Sequence, residues 1–219
     1  MKAKTLTELE DLWAPFKKKK KTRGMLAIER GLEPLADLME KENAAAVEKA
    51  AEGYVKTDEE NPELTVESAK DAIAGAMDII AERIAQNPEH RAAVRGWYMK
   101  SGKVVVTGVG DENAQKTSVY QMYWDYSEPV NQIKPHRVLA INRGEREGVL
   151  DVKIDVDAEE AIEIIAREYA IANDYHRDAV ADGVIRLLSP AVVREIRSDL
   201  SDAADDHGIS VFSENLRNL

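Results

Sequence analysis

The sequence predicts a mainly α fold: a multi-helix body with helix-turn-helix-like elements near its start, a small two-stranded β-ribbon and a long C-terminal helix. Three observations carry this expectation. Apolar residues recur three and four apart through most of the chain, with capping residues and prolines at the ends of the stripes. β-Branched residues with strand character, ending at turn signals, occur at Val104 to Val109 and again at Val149 to Val156. From Asp157 onward every apolar stripe has helical spacing.

Taken in order, Thr5 to Glu8 has capping-box spacing, and Leu6, Leu9 and Leu12 or Trp13 then recur helically until Pro15. Thr22 caps a second short helix that Gly31 can end in the left-handed conformation, and Pro34 opens a third through Leu35, Leu38 and Met39. Three short helices with tight turns give the helix-turn-helix-like rhythm, which many all-helical proteins share. An alanine-rich helix follows Asn43, and 56–64, containing Asn61-Pro62, reads as a polar loop. Thr65 is expected to restart the helix, with Val66, Ile73, Met77, Ile80 and Ile84 as its stripe; Asn87-Pro88 then opens the next helix, through Val94 and Trp97 to Gly102.

The two β-branched segments are expected to pair antiparallel. Between them lie the aromatics Tyr120, Tyr123, Trp124 and Tyr126, a turn at Asp125 to Pro129, and a helix from about Pro135 to Glu147 that Gly148 stops. Ile162, Ile165 and Tyr169 line a further helix, and Val180, Val184, Leu187 and Leu188 line the next. Ser189-Pro190 caps the last. There Val192, Ile196, Leu200, Ala204, Gly208, Phe212 and Leu216 fall at every fourth position, so one helix is expected to run through Gly208, with close packing of a neighbour offsetting the roughly 1 kcal/mol propensity cost of glycine.

Composition bounds the chemistry. The 219 residues carry a formal net charge of -11, yet residues 1–35 hold nine Lys/Arg against five Asp/Glu. Positive charge is therefore concentrated at one end, where it can attract phosphates that the acidic remainder repels. The absence of cysteine removes disulfides and thiolate metal sites and suits a reducing cytoplasm. His90, His136, His176 and His207 are scattered, so no transition-metal site is expected. No signal-peptide core or membrane-length apolar run occurs, and a cytoplasmic protein without membrane contact is expected.

The segments Leu9-Glu-Asp-Leu-Trp-Ala-Pro-Phe-Lys17, Gly31-Leu-Glu-Pro-Leu-Ala-Asp-Leu38 and Asp78-Ile-Ile-Ala-Glu-Arg-Ile84 resemble the N-terminal region of the Tex family of bacterial transcription accessory proteins. Asp125 to Pro129, His136 to Leu150 and Val211 to Arg217 match the same family in the same order. The resemblance implies an N-terminal scaffold whose parent continues into an RNase H-like YqgF domain, helix-hairpin-helix motifs and an OB-fold RNA-binding domain, none of which this sequence contains. The chain is expected to divide into three segments: 1–64, helices of a helix-turn-helix-like region with a basic connector; 65–156, helical with the β-ribbon; and 157–219, C-terminal helices which, as the resemblance implies, lead toward an absent YqgF-like domain.

The candidate nucleic-acid-binding residues are Lys17, Lys18, Lys19, Lys20, Lys21 and Arg23, whose alternative role is a solvated connector between helices. Trp13 and Phe16 flank the run and either stack on bases or anchor the connector. Arg137 and Arg143 can face a partner or nucleic acid, the alternative being a surface helix laced with weak ion pairs such as Arg143 to Glu147. For the aromatic cluster, packing is favoured over base stacking. The Asp151 to Asp157 run lacks the glycine and terminal glutamate of an EF-hand, and Gly108-Val-Gly110 lacks the third glycine of a dinucleotide loop. No catalytic set, metal site or cofactor is expected. The leading expectation is an architectural piece of a nucleic-acid-binding parent, RNA in preference to DNA, with the basic run as an auxiliary phosphate contact. The alternative is a module docking on the transcription machinery through its acidic helical surface.

Overall fold

Capping side chains fix where the helices begin. In the computed structural model, which describes residues 21–217, Thr22 Oγ1 accepts the Met25 N–H at 3.2 Å and starts α1 (Arg23–Glu29). Gly31 ends the turn after it at φ +80°, and Pro34 lies in the first turn of α2 (Glu33–Met39). Asn43 caps α3 (Ala44–Ala51), Ser68 caps α4 (Ala69–Gln86), and Asn87 both closes α4 and caps α5 (Pro88–Ser101). The residues before Pro15 and the basic run as far as Lys20, with Trp13 and Phe16, lie outside the described residues.

The α4 boundary differs from the sequence expectation. Val66 is fully buried but extended: its N–H and carbonyl exchange hydrogen bonds with Lys56 at 2.8 and 3.1 Å, and the helix waits for the cap at Ser68. A β-branched residue fits this two-residue bridge as readily as a helical stripe. The loop before it holds a short 3-10 turn, Pro62–Leu64.

The expected antiparallel pairing is present, and a third strand joins it. Strands β1 (Lys103–Gly108), β2 (Asp125–Pro129) and β3 (Leu150–Asp155) form a sheet in the order β2-β1-β3, with Val106 opposite both Tyr126 and Val152. Asp125 to Pro129, read from sequence as a turn, is thus an edge strand. Between β1 and β2 runs α6 (Glu112–Thr117), and α7 (Pro135–Arg146) connects β2 to β3, with Gly148 at φ +72° turning the chain.

The remaining chain is helical, as expected: α8 (Ala158–Ala166), α9 (Asp174–Leu187) and α10 (Pro190–Arg217). Helix α4 is the hub. It packs against α1, α2, α3 and most extensively α9, and Ala72, Ile73, Ala76, Ile79, Ile80 and Ile84 are buried along it. Each buried isoleucine contributes roughly 1.5–3 kcal/mol of transfer free energy, offset in part by chain ordering. Gly183 is what lets α9 approach: a Cβ there would lie 2.8 Å from Ile84 Cβ and 3.0 Å from the Ala81 carbonyl oxygen.

On the other side, Val104 of β1 and Val152 and Ile154 of β3 face α7 and α10 around a small apolar cavity that Val138, Ile141 and Leu200 also line. Helix α10 is continuous through Gly208, but the expected close neighbour is missing. A Cβ at Gly208 would meet only Leu139 Cδ1, at 4.0 Å. Val192, Ile196 and Ala204 are buried, whereas Ile209 and Phe212 are each 65% exposed. The stripe leaves the core after Ala204. Among the described residues no helix is long and apolar enough to cross a membrane.

Candidate nucleic-acid interface

The described part of the basic run is tied to carboxylates. Lys21 Nζ lies 2.5 Å from Glu29 Oε2, and this hydrogen bond raises the lysine pKa. Arg23 Nε reaches Asp78 at 3.3 Å, and its Nη2 reaches Asp182 at 3.8 Å. Both carboxylates also hold Arg186, whose Nη1 lies 3.5 Å from Glu82. Two guanidiniums thus share three carboxylates where α1, α4 and α9 meet. Arg23, its side chain 71% exposed, can still meet a phosphate, but with its charge already locally compensated.

Arg137 and Arg143 stand on α7 at different depths. Arg137 Nη1 donates to Glu128 Oε1 at 2.7 Å and to the Tyr126 hydroxyl at 3.2 Å, and Tyr126 in turn donates to Glu128. Burial pushes the Glu128 carboxyl up, but the Tyr126 hydroxyl and the Arg137 guanidinium outweigh it and hold the pKa below its ordinary value. This triad fastens α7 to the edge strand β2. Arg143 is exposed and pairs with Glu147 at 3.0 Å, which lowers the Glu147 pKa.

The aromatic segment packs. Tyr120 and Tyr123 are each 7% exposed, Tyr123 meets Tyr126 edge-on at 5.4 Å, and the Trp124 ring lies directly over Gly108. No base-stacking platform is offered by rings so covered.

A polar groove between α7 and α10 was not singled out from sequence. It encloses about 550 Å³ and is lined by Leu139, Asn142, Glu145, Arg146, Arg194, Arg197, Ser198, Ser201 and Asp205. Arg197 grips Glu145 through both ends of its fork, the Nη1 to Oε1 distance being 2.9 Å. Asn142 donates to Ser201 Oγ at 2.7 Å, and Ser201 donates to the Arg197 carbonyl at 2.9 Å. The sequence signal was weak: Arg194 and Arg197 share one face of α10 with Ser198 and Ser201, but Arg146 is remote in sequence.

Two buried histidines lie elsewhere, near Tyr169. His90 Nδ1 lies 3.3 Å from the Ile84 carbonyl, and its Nε2 lies 3.4 Å from the Tyr169 hydroxyl and 3.3 Å from Glu168 Oε2. His176 Nδ1 accepts the Ala172 N–H at 3.4 Å, its ring meets Tyr169 edge-on, and burial lowers its pKa. Among the described residues no group of three or more His, Asp or Glu could hold a metal ion.

Comparison with known proteins places these features in a family context. The family model described as Tex central region-like matches residues 42–212. YdcI of Bacillus subtilis is 38% identical over 98% of the chain, and the transcriptional accessory protein Tex of Neisseria gonorrhoeae is 33% identical over 97%. The human S1 RNA-binding domain-containing protein 1 is 26% identical over the whole chain. The chain spans less than a third of each relative's length: 30%, 28% and 23%, respectively.

Proposed function

Since the chain belongs to the Tex family, we propose that it is the helical N-terminal scaffold of a Tex-like transcription accessory protein whose parent binds nucleic acid, chiefly RNA. The observation that carries the reading is the collinear match over 42–212, set beside a relative named for an S1 RNA-binding domain. Its role is architectural. The hub around α4 and the sheet clamped by α7 hold α10 in place, and the basic run from Lys17 to Lys21 with Arg23 supplies an auxiliary phosphate contact. The chain performs no catalytic step and works in the cytoplasm, in keeping with its lack of cysteine.

Replacing all five lysines with glutamine tests the phosphate contact. Binding of single-stranded RNA by the parent protein should weaken, and its dependence on salt should flatten by about 0.7 in log-log slope per lost contact. An unchanged slope removes the basic run from the mechanism.

A second reading is favoured by α10 itself, where Ile209 and Phe212 stand exposed beside Asp202, Asp205 and Asp206. The chain would then dock on a protein of the transcription machinery. Recovery of a protein partner by the isolated chain after nuclease treatment, with no RNA or DNA gel shift, would favour docking. Direct RNA binding without such a partner would favour the first reading.

A further inference from the structure

The arginines of this acidic protein are almost all spoken for. Among the described residues eleven of the fourteen arginines hold a carboxylate within 4.0 Å, leaving Arg146, Arg194 and Arg217. Two of those three line the same groove, from opposite walls: Arg146 at the end of α7 and Arg194 near the start of α10. In a chain with 41 acidic and 30 basic residues, guanidiniums without an acid are the exception, and two in one concavity form a local positive site.

The groove around them is built from groups already satisfied. Glu145 is consumed by the two-pronged grip of Arg197, so it does not compete for Arg146 or Arg194. Asn142, Ser201 and the Arg197 backbone form a closed hydrogen-bond chain along the floor. Asp205 is the remaining acid in the lining, and Ser198 adds an exposed hydroxyl. Two free planar forks with a hydroxyl donor suit a tetrahedral oxyanion with several acceptor oxygens.

We propose that the groove between α7 and α10 binds the phosphodiester backbone of a single-stranded nucleic acid, with Arg146 and Arg194 as the phosphate contacts. The inference rests on the nucleic-acid reading above and adds, beside the auxiliary contact at the basic run, a principal one in the groove. Arg197 acts as a positioning residue: it neutralises Glu145 and holds the two walls at their spacing. Two phosphate contacts to a single strand correspond to a log-log salt slope of about 1.4, or about a sevenfold fall in affinity between about 50 and about 200 mM salt.

The test is fluorescence anisotropy of a labelled single-stranded RNA of about 12 nucleotides titrated with the 219-residue chain, its Arg146→Gln/Arg194→Gln variant and its Lys17–Lys21→Gln variant. The arginine variant should bind more weakly than the lysine variant near about 50 mM salt, and its affinity should fall about sevenfold less than that of the wild type between about 50 and about 200 mM. It should keep the wild-type melting temperature, since both arginines are exposed and, among the described residues, have no carboxylate within 4.0 Å. Single-stranded DNA should compete, whereas a nucleoside monophosphate should compete weakly because it offers one phosphate. Binding that survives the arginine substitutions but falls with the lysines overturns the groove and spares the nucleic-acid reading. No RNA binding at low salt overturns the groove too, whatever the parent does. Equal binding of a polyglutamate peptide, lost in the same arginine variant, assigns the groove to acidic protein segments and sinks the proposal.

Discussion

Substituting Gly183 with alanine tests whether the contact between α4 and α9 is set by backbone proximity. The added Cβ would lie 2.8 Å from Ile84 Cβ, 2.9 Å from Ile84 Cγ2 and 3.0 Å from the Ala81 carbonyl oxygen. Two of these atoms belong to a β-branched core side chain and the third to the backbone, so none can swing aside. Overpacking of a rigid site costs up to about 3 kcal/mol, and exchanging glycine for alanine in a helix returns about 1 kcal/mol. A net destabilisation of about 2 kcal/mol follows. Gly96→Ala in α5 isolates the opposing contribution: that glycine is helical and exposed, with nothing within 4 Å of its added Cβ, so it should stabilise by about 1 kcal/mol. In urea denaturation the two variants should therefore differ by about 3 kcal/mol, and in a thermal scan their midpoints should separate by about 6–12 °C. Equal stabilisation by both substitutions would refute the reasoning, because it would mean that α9 can retreat from α4 without loss.

Other perturbations address charge. His176 keeps a depressed pKa because burial disfavours its cation, with Glu40 opposing the effect. Below about pH 6.5 the unfolded chain takes up a proton that the folded chain does not, so stability should fall as pH drops from about 7 toward 5.5, and His176→Asn should flatten that decline. A denaturation midpoint with the same pH slope in both proteins would exclude His176 as its source. Arg186→Leu leaves Asp78 and Glu82 facing each other with only the exposed Arg23 nearby. It should cost about 2 kcal/mol in chemical denaturation, less than for a fully buried pair because these side chains keep 16–20% exposure.

The helical framework was legible because it is written locally. Thr22, Asn87 and Gly31 act where sequence places them, and the isoleucines of α4 repeat at a period that only a helix can bury on one side. The pairing of β1 with β3 was legible for a related reason, since both segments concentrate β-branched residues. The edge strand was not. Asp125, Ser127, Glu128 and Pro129 have turn chemistry, and what makes them a strand is the open edge of β1. Val66 misled because burial alone does not distinguish a helical stripe from a bridge. The arginine groove was beyond reach from sequence, since it exists only where α7 is laid against α10, and Arg146 has no local signature.

Helix α10 is held along its first half, whereas Ile209, Val211 and Phe212 in its second half are exposed. From Ala204 to Arg217 it extends about 20 Å at 1.5 Å per residue. A tilt of about 10° where the helix meets α7 would carry the far end through about 3.5 Å, roughly the rise of a strand residue. The groove carrying Arg146 and Arg194 sits at that pivot. A ligand held there would bear on that angle, and the helix would carry the change to its far end.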